Sequence, residues 1–342
     1  MKFDFVIGNP PYQEEDGGAS ASARPVYQFF FDAATKTTSN AVCLVMPARW
    51  YSGGKGLDEF RDTMLNSHNI KTLHDFPNTN ELFPNVNIRG GVCIVIWDKN
   101  YDDPDGKTKV VVHEGNMEHS TMRSLRYEDI DIFIRNYQAI SILEKTKNDT
   151  ISDNLACHVS PRRPFGLGSE FSKSDLFHLS KEGLNNPVVC IGKRKQIGFI
   201  EYNDVAAHKE WINVWKVFVP RANNIGTELN DDNLNSFVGK PNTICTEAYI
   251  AIGMDLNLNH VSASALVKYL QTKFARFLHS VAKASQDASS KTYRFIPNQD
   301  FTSASDIDWS QPIPQIDQQL YRKYGLTDEE ISFIETHVKE MT

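Results

Sequence analysis

Short apolar runs alternate with amphipathic stretches over the first hundred residues. Residues 3–7 (Phe-Asp-Phe-Val-Ile) read as a short buried strand. Val26, Phe29, Phe30 and Ala33 follow at helical spacing. Residues 41–46 form a second apolar strand, which Pro47 stops. Leu57, Phe60, Met64 and Leu65 mark an amphipathic helix. Residues 91–97, with Val-Cys-Ile-Val-Ile-Trp apolar throughout, predict a third strand buried on both faces. Another strand is expected at 109–113 and a helix at 130–147. Strands alternating with helices predict an α/β fold built on a mainly parallel sheet.

From residue 151 the texture changes. Short strands at 188–191, 198–202 and 215–219, with one more region at 243–252, are separated by Pro, Gly and Asn. This predicts an irregular α+β region, distinct from the first. Leu266, Tyr269, Leu270, Phe274, Phe277, Leu278 and Val281 make one apolar stripe, which predicts a single long helix over 263–283. Thr327 followed by Glu330 is a capping box that opens a last helix. The expected domains are 1–148 and 149–342.

Composition narrows the class. The chain has 342 residues, 40% hydrophobic and 23% charged, enough for two domains. No apolar run approaches membrane length, so no membrane partner is expected. The five cysteines show no paired spacing and read as reduced thiols of a cytoplasmic protein. The net charge of -7 excludes a uniformly basic nucleic-acid binder. The charge is uneven, however. Residues 160–200 hold seven basic and three acidic side chains, whereas 301–342 hold three and eight. A locally basic middle is compatible with a DNA-facing surface.

Asn9-Pro10-Pro11-Tyr12 directly follows the first strand. Ligands bind at the carboxyl ends of strands in open α/β sheets. An exocyclic amine is a poor nucleophile because its lone pair is conjugated with the ring. The Asn9 side-chain oxygen and the Pro10 carbonyl can accept its two hydrogens and favour a tetrahedral nitrogen. Pro10 and Pro11 fix φ and keep those acceptors in place. Tyr12 offers a flat face for stacking. A base inside a duplex would have to be flipped out, at a cost of a few kcal/mol.

With these residues the chain resembles the adenine-specific DNA methyltransferases of bacterial restriction–modification systems, especially the large type II branch. The resemblance runs through 2–13, Met46-Pro47-Ala48-Arg49-Trp50, Gly53-Gly54-Lys55-Gly56 and Ile88-Arg89-Gly90-Gly91-Val92-Cys93. It continues through 268–274, 295–297 and 324–331. It implies part of a doubly wound methyltransferase sheet over 1–148, then an irregular α+β target-recognition domain. It also implies S-adenosylmethionine as donor, with Asn9 and Pro10 beside it, and double-stranded DNA as substrate. The family's glycine-rich donor loop is expected before Asn9. The chain is therefore expected to be a fragment, a split subunit completed by a second chain carrying the donor-binding half or a nuclease, or a disrupted gene product. Residues 3–7 would then be an uncovered sheet edge.

Candidate DNA contacts are Arg162 and Arg163 between two prolines, Lys193, Arg194 and Lys195 at a hairpin tip, and Lys273 and Arg276 beside the long apolar stripe. Gly53-Gly54-Lys55-Gly56 reads as a mobile loop, with a phosphate contact from Lys55 as the sharper reading. No histidine–cysteine spacing points to a metal. Asp103, Asp105 and Lys107 are a crude nuclease candidate without a supporting strand. Two other functions fit the same tetrapeptide: a noncatalytic DNA-recognition subunit, and a methyltransferase acting on protein glutamine. The large region after 150 argues against the second.

Overall fold

The computed structural model describes residues 2–14, 23–86, 88, 90–128, 130–223, 235–283 and 287–341. It divides into two compact units, 1–140 and 141–342.

The first unit is an α/β sheet of six strands. In chain order its elements are β1 (Phe3–Gly8), α1 (Tyr27–Thr37), β2 (Thr38–Pro47), α2 (Asp58–Leu65), β3 (Ile70–Phe76), β4 (Val92–Asp98), β5 (Thr108–Glu114) and β6 (Met117–Arg123). The strand order is β1-β2-β4-β3-β5-β6. β1 and β2 run parallel, as do β3 and β5, while the other three pairings are antiparallel. The sheet is thus mixed rather than mainly parallel. β4 is the cause: it inserts between β2 and β3 and runs against both, a register that apolar periodicity does not encode. β3 and β6 were not anticipated. β3 mixes Lys71, Thr72, His74 and Asp75 with apolar residues, and β6 is largely polar and exposed.

Both helices cover one face of this sheet. Tyr27, Phe31 and Ala34 of α1 and Phe60, Met64 and Leu65 of α2 pack with Val42, Leu44, Met46, Leu73, Val95 and Val110. The other face is less well covered. Cys43, Ile94 and Ile96 there are only half-buried, and Phe5 and Ile7 on β1 are 64% and 81% exposed. Among the described residues β1 pairs only with β2, so its outer edge is open. This matches the uncovered edge expected from the sequence.

Helix α3 (Tyr137–Ser152) contains the division between the units. It begins seven residues later than the expected 130, and an isolated bridge and bends occupy the intervening stretch. The second unit has two three-stranded sheets. Strands β7 (Pro187–Ile191), β8 (Ile197–Glu201) and β11 (Thr243–Cys245) form one, in the order β11-β7-β8. Strands β9 (Lys216–Pro220), β10 (Phe237–Gly239) and β12 (Tyr249–Ile252) form the other, in the order β10-β9-β12. Phe165, Val188, Ile200, Ile212, Phe218 and Ile244 lie at its core.

The long apolar stripe belongs to two helices, α4 (His260–Gln271) and α5 (Lys273–Ala282). Thr272 separates them with an extended ψ of 149°, and its side chain accepts from the Ala275 amide. A threonine that caps locally competes with helix continuation. The buried Asp317 carboxylate of α6 (Ile313–Lys323) accepts from the Lys273 and Phe274 amides and completes the new N-terminus. The final helix α7 (Asp328–His337) opens on the expected Thr327–Glu330 capping box. Among the described residues, no helix is long and apolar enough to cross a membrane.

Candidate functional site

The Asn-Pro-Pro-Tyr turn leaves the carboxyl end of β1. The chain returns beside it: the Val26 amide donates to the Tyr12 carbonyl at 3.2 Å, and the Glu14 amide donates to the Arg24 carbonyl at 3.0 Å. Asn9 and Pro11 are exposed, whereas Pro10 and Tyr12 are half-buried. Burial raises the Tyr12 phenol above its ordinary pKa, and the neighbouring Asn9 side chain opposes that rise.

The end of β2 lies next to this turn, because β1 and β2 are parallel neighbours. A short 3-10 turn, Ala48–Tyr51, follows β2. It is fastened from below. The Trp50 indole donates to the Cys93 sulfur at 3.4 Å, and the Tyr51 hydroxyl donates to the Asp75 carboxylate at 3.0 Å. Arg135 meets the other Asp75 oxygen at 3.1 Å. Burial pushes the Cys93 thiol up to about 12, so it serves as packing rather than as a nucleophile.

Two shielded polar atoms on the elements around the turn, Gln28 Oε1 and Arg49 Nε, have no hydrogen-bond partner among the described residues. Each unsatisfied atom of this kind costs about 1–3 kcal/mol. Such atoms mark places where a polar ligand or water would be accommodated. Gln28 and Arg49 escaped the sequence reading as site residues. Gln28 carries no local signal, and Arg49 stood only as part of a longer motif.

Gly53, Gly54, Lys55 and Gly56 all adopt left-handed φ, from 52° to 83°. The turn is braced. The Arg61 guanidinium donates to the Ser52 carbonyl at 3.0 Å and to Asp58 at 2.8 Å. A Cβ on Gly53 would stand 2.1 Å from that guanidinium, so any other residue would displace the brace as well as strain the backbone. Arg89, part of one quoted motif, lies outside the described residues.

In the second unit, Lys193, Arg194 and Lys195 sit exposed at the β7–β8 hairpin tip, with Arg194 and Lys195 in the left-handed region. Arg162 and Arg163 share one buried carboxylate. Arg162 Nε and Arg163 Nε each donate to a different oxygen of Glu247 at 2.7 Å. Burial alone would raise the Glu247 carboxyl, but the two guanidiniums hold it below the usual range. Glu247 stands more than eighty residues from its partners, and nothing local in the sequence points to it.

Lys273 and Arg276 are placed differently from the other basic candidates. Lys273 donates to the Glu335 carboxylate at 2.6 Å. Arg276 is only 1% exposed, inside the helical core. Both sit on α5, whose packing turns their stems inward. Asp103 accepts from the Asp105 and Lys107 amides, which makes it a turn-builder. Among the described residues, no group of three or more His, Cys, Asp or Glu could hold a metal.

Residues 1–83 match the model of the Eco57I restriction-modification methylase family. An uncharacterized adenine-specific methylase of Mycoplasma pneumoniae is 34% identical over 113 residues, covering 32% of this chain and 26% of the relative. The type IIL restriction-modification enzyme MmeI, solved in complex with DNA, is similar in fold. Its TM-score is 0.52 at 11% identity, covering 97% of this chain and 56% of MmeI. The type IIG restriction endonuclease BpuSI covers 95% of this chain and 49% of its own at a TM-score of 0.35 and 12% identity, a likeness too loose to carry an argument. The matches thus span about a quarter of the curated relative and about half of MmeI. The resemblance to restriction–modification methylases is borne out, and the family match over residues 1–83 contains β1, the Asn-Pro-Pro-Tyr turn and the braced glycine loop.

Proposed function

We propose that this chain supplies the catalytic loop and the target-recognition region of a DNA adenine methyltransferase. The observation that carries the reading is the Asn-Pro-Pro-Tyr turn at the carboxyl end of β1. The Asn9 side-chain oxygen and the Pro10 carbonyl would accept the two hydrogens of a flipped adenine amino group. As positive charge develops on nitrogen, both acceptors stabilise it, and removing one would cost roughly 100- to 1000-fold in rate. Tyr12 would stack on the extruded ring. Arg162, Arg163, Lys193, Arg194 and Lys195 would meet phosphates and position the duplex. Lys273 and Arg276 are left out of this set because of their pairing and burial.

The donor of the reading is S-adenosylmethionine, which supplies an electrophilic methyl group when bound. Asn9 and Pro10 would border it. A doubly wound sheet binds its ligand between strands that diverge at a switch point. On this reading the described residues would supply one wall of such a crevice; among them β1 has no neighbour on its outer edge, which leaves room for the other wall. They fit part of a donor site only. A second polypeptide segment, with its own strand against β1, would complete it.

The test is anisotropy with duplex DNA, paired with calorimetric titration of S-adenosylhomocysteine. The reading expects DNA retained at low salt and little binding of the nucleoside by this chain alone. With a donor-binding half supplied, N6-methyladenine should appear in DNA and vanish in Asn9→Ala. Methylation of glutamine peptides but not DNA would overturn it.

A further inference from the structure

We infer that Glu247 is a positioning residue that turns Arg162 and Arg163 into a preorganised clamp for adjacent DNA phosphates. The inference rests on the DNA-binding reading above and adds to it a residue and a geometry.

Arg162 and Arg163 are neighbours on a loop bracketed by Pro161 and Pro164. Two adjacent guanidiniums in water repel and point apart. Here both oxygens of one carboxylate are used to hold them. Arg162 contacts Oε1 through Nε at 2.7 Å and through its terminal nitrogen at 2.6 Å, and Arg163 contacts Oε2 at 2.7 Å. The acid is 5% exposed, yet the two arginine side chains remain 69% and 60% exposed.

As a stabilising device this is a poor investment. Exposed ion pairs contribute about 0–1 kcal/mol, and a buried carboxylate must be desolvated. As a binding device it makes sense, because fixing two arginine planes beforehand removes ordering cost at the moment of binding. Arginine is the residue suited to two-pronged phosphate contacts.

Arg221 braces the same turn: its Nε donates to the Glu247 carbonyl at 3.2 Å, while its charge is paired with Asp287 at 2.9 Å. The Lys195 amide donates to the Tyr249 hydroxyl at 2.9 Å, which moors the exposed Lys193–Lys195 tip two residues from Glu247. One acid against two arginines leaves a net positive charge, facing solvent.

The sign of one substitution separates this from a bystander role. Glu247→Gln removes a negative charge from a surface said to face DNA. Simple electrostatics would then tighten binding. The clamp predicts the opposite: several-fold weaker binding of a random duplex in anisotropy, because the planes are released. Arg162→Met with Arg163→Met should reduce the slope of log affinity against log salt by about 2.

Equal or tighter binding by Glu247→Gln, or an unchanged slope in the double methionine variant, overturns the clamp. If Glu247→Gln fails to fold, Arg162→Lys with Arg163→Lys decides. It keeps the charge but loses the fork, so several-fold weaker binding supports the clamp and equal binding overturns it. A wild-type chain that does not retain duplex at 50 mM salt brings down the DNA reading itself, which is a distinguishable failure.

Discussion

The open edge of β1 can be tested by replacing Phe5 and Ile7 with lysine. Both side chains stand mostly in water, at 64% and 81% exposed. They lie on the less-covered face of the sheet, where Ile7 is in register with Cys43 and Cys43 with Ile96. Exposed substitutions usually change stability by no more than about 0.5 kcal/mol each. Burial of a full Phe or Ile side chain contributes about 1.5–3 kcal/mol. Covering these two should therefore give a partner about 2–4 kcal/mol, or roughly 30- to 1000-fold in association.

The double lysine variant should keep its thermal midpoint to within about 3 °C. It should also lose the concentration-dependent association that an unpaired apolar edge promotes. Calorimetry and light scattering across a concentration series read these two quantities. In both proteins the β1 amides facing away from β2 should exchange rapidly. A drop in midpoint of more than about 6 °C would refute the reasoning, because it would mean that Phe5 and Ile7 already pack within the chain. The Asn-Pro-Pro-Tyr turn hangs from this strand, so the result also bears on whether that turn is held firmly without a neighbour.

Three other outcomes follow from particular atoms. Tyr12→Phe deletes a shielded hydroxyl whose neighbour is the Asn9 side chain; it should cost no more than about 1.5 kcal/mol, and a larger loss in chemical denaturation would show that the hydroxyl carries more than one bond. His279 is 1% exposed, and its Nε2 lies 2.9 Å from the Thr292 hydroxyl. Burial, with the Lys283 charge adding to it, lowers its pKa well below 6.5. The unfolded chain therefore takes up the proton first, so stability is full above about pH 6.5 and falls as pH drops below that value. His279→Asn should flatten that fall, and an equally steep loss of midpoint between pH 6.5 and 5 would rule His279 out as its source. Thr272→Ala removes the cap between α4 and α5 and should cost about 1–2 kcal/mol in urea unfolding; no cost would mean that Asp317 alone sets the break.

Periodicity and motif carried the sequence reading a long way. β1, β2, β4 and β5, both helices of the first unit, the β7–β8 hairpin with its basic tip and the Thr327 capping box were all legible. Each rests on local chemistry: an apolar run, a helical spacing, a proline stop, a side-chain cap. The Asn-Pro-Pro-Tyr turn was legible for the same reason, since its stiffness and its acceptors lie within four residues. What local pattern lacks is partnership. Nothing in β4 says that it runs against both neighbours, because strand direction depends on where the chain re-enters the sheet. The stripe over 263–283 looked continuous because apolar spacing survives a break, and only Thr272 and the distant Asp317 reveal two helices. Basic residues that look alike in sequence were separated by their surroundings: Arg276 in the core, Lys273 tied to Glu335, and Arg162 and Arg163 held outward by Glu247. Burial and long-range charge pairing are properties of the assembled chain, and they decided which of these cations face the solvent.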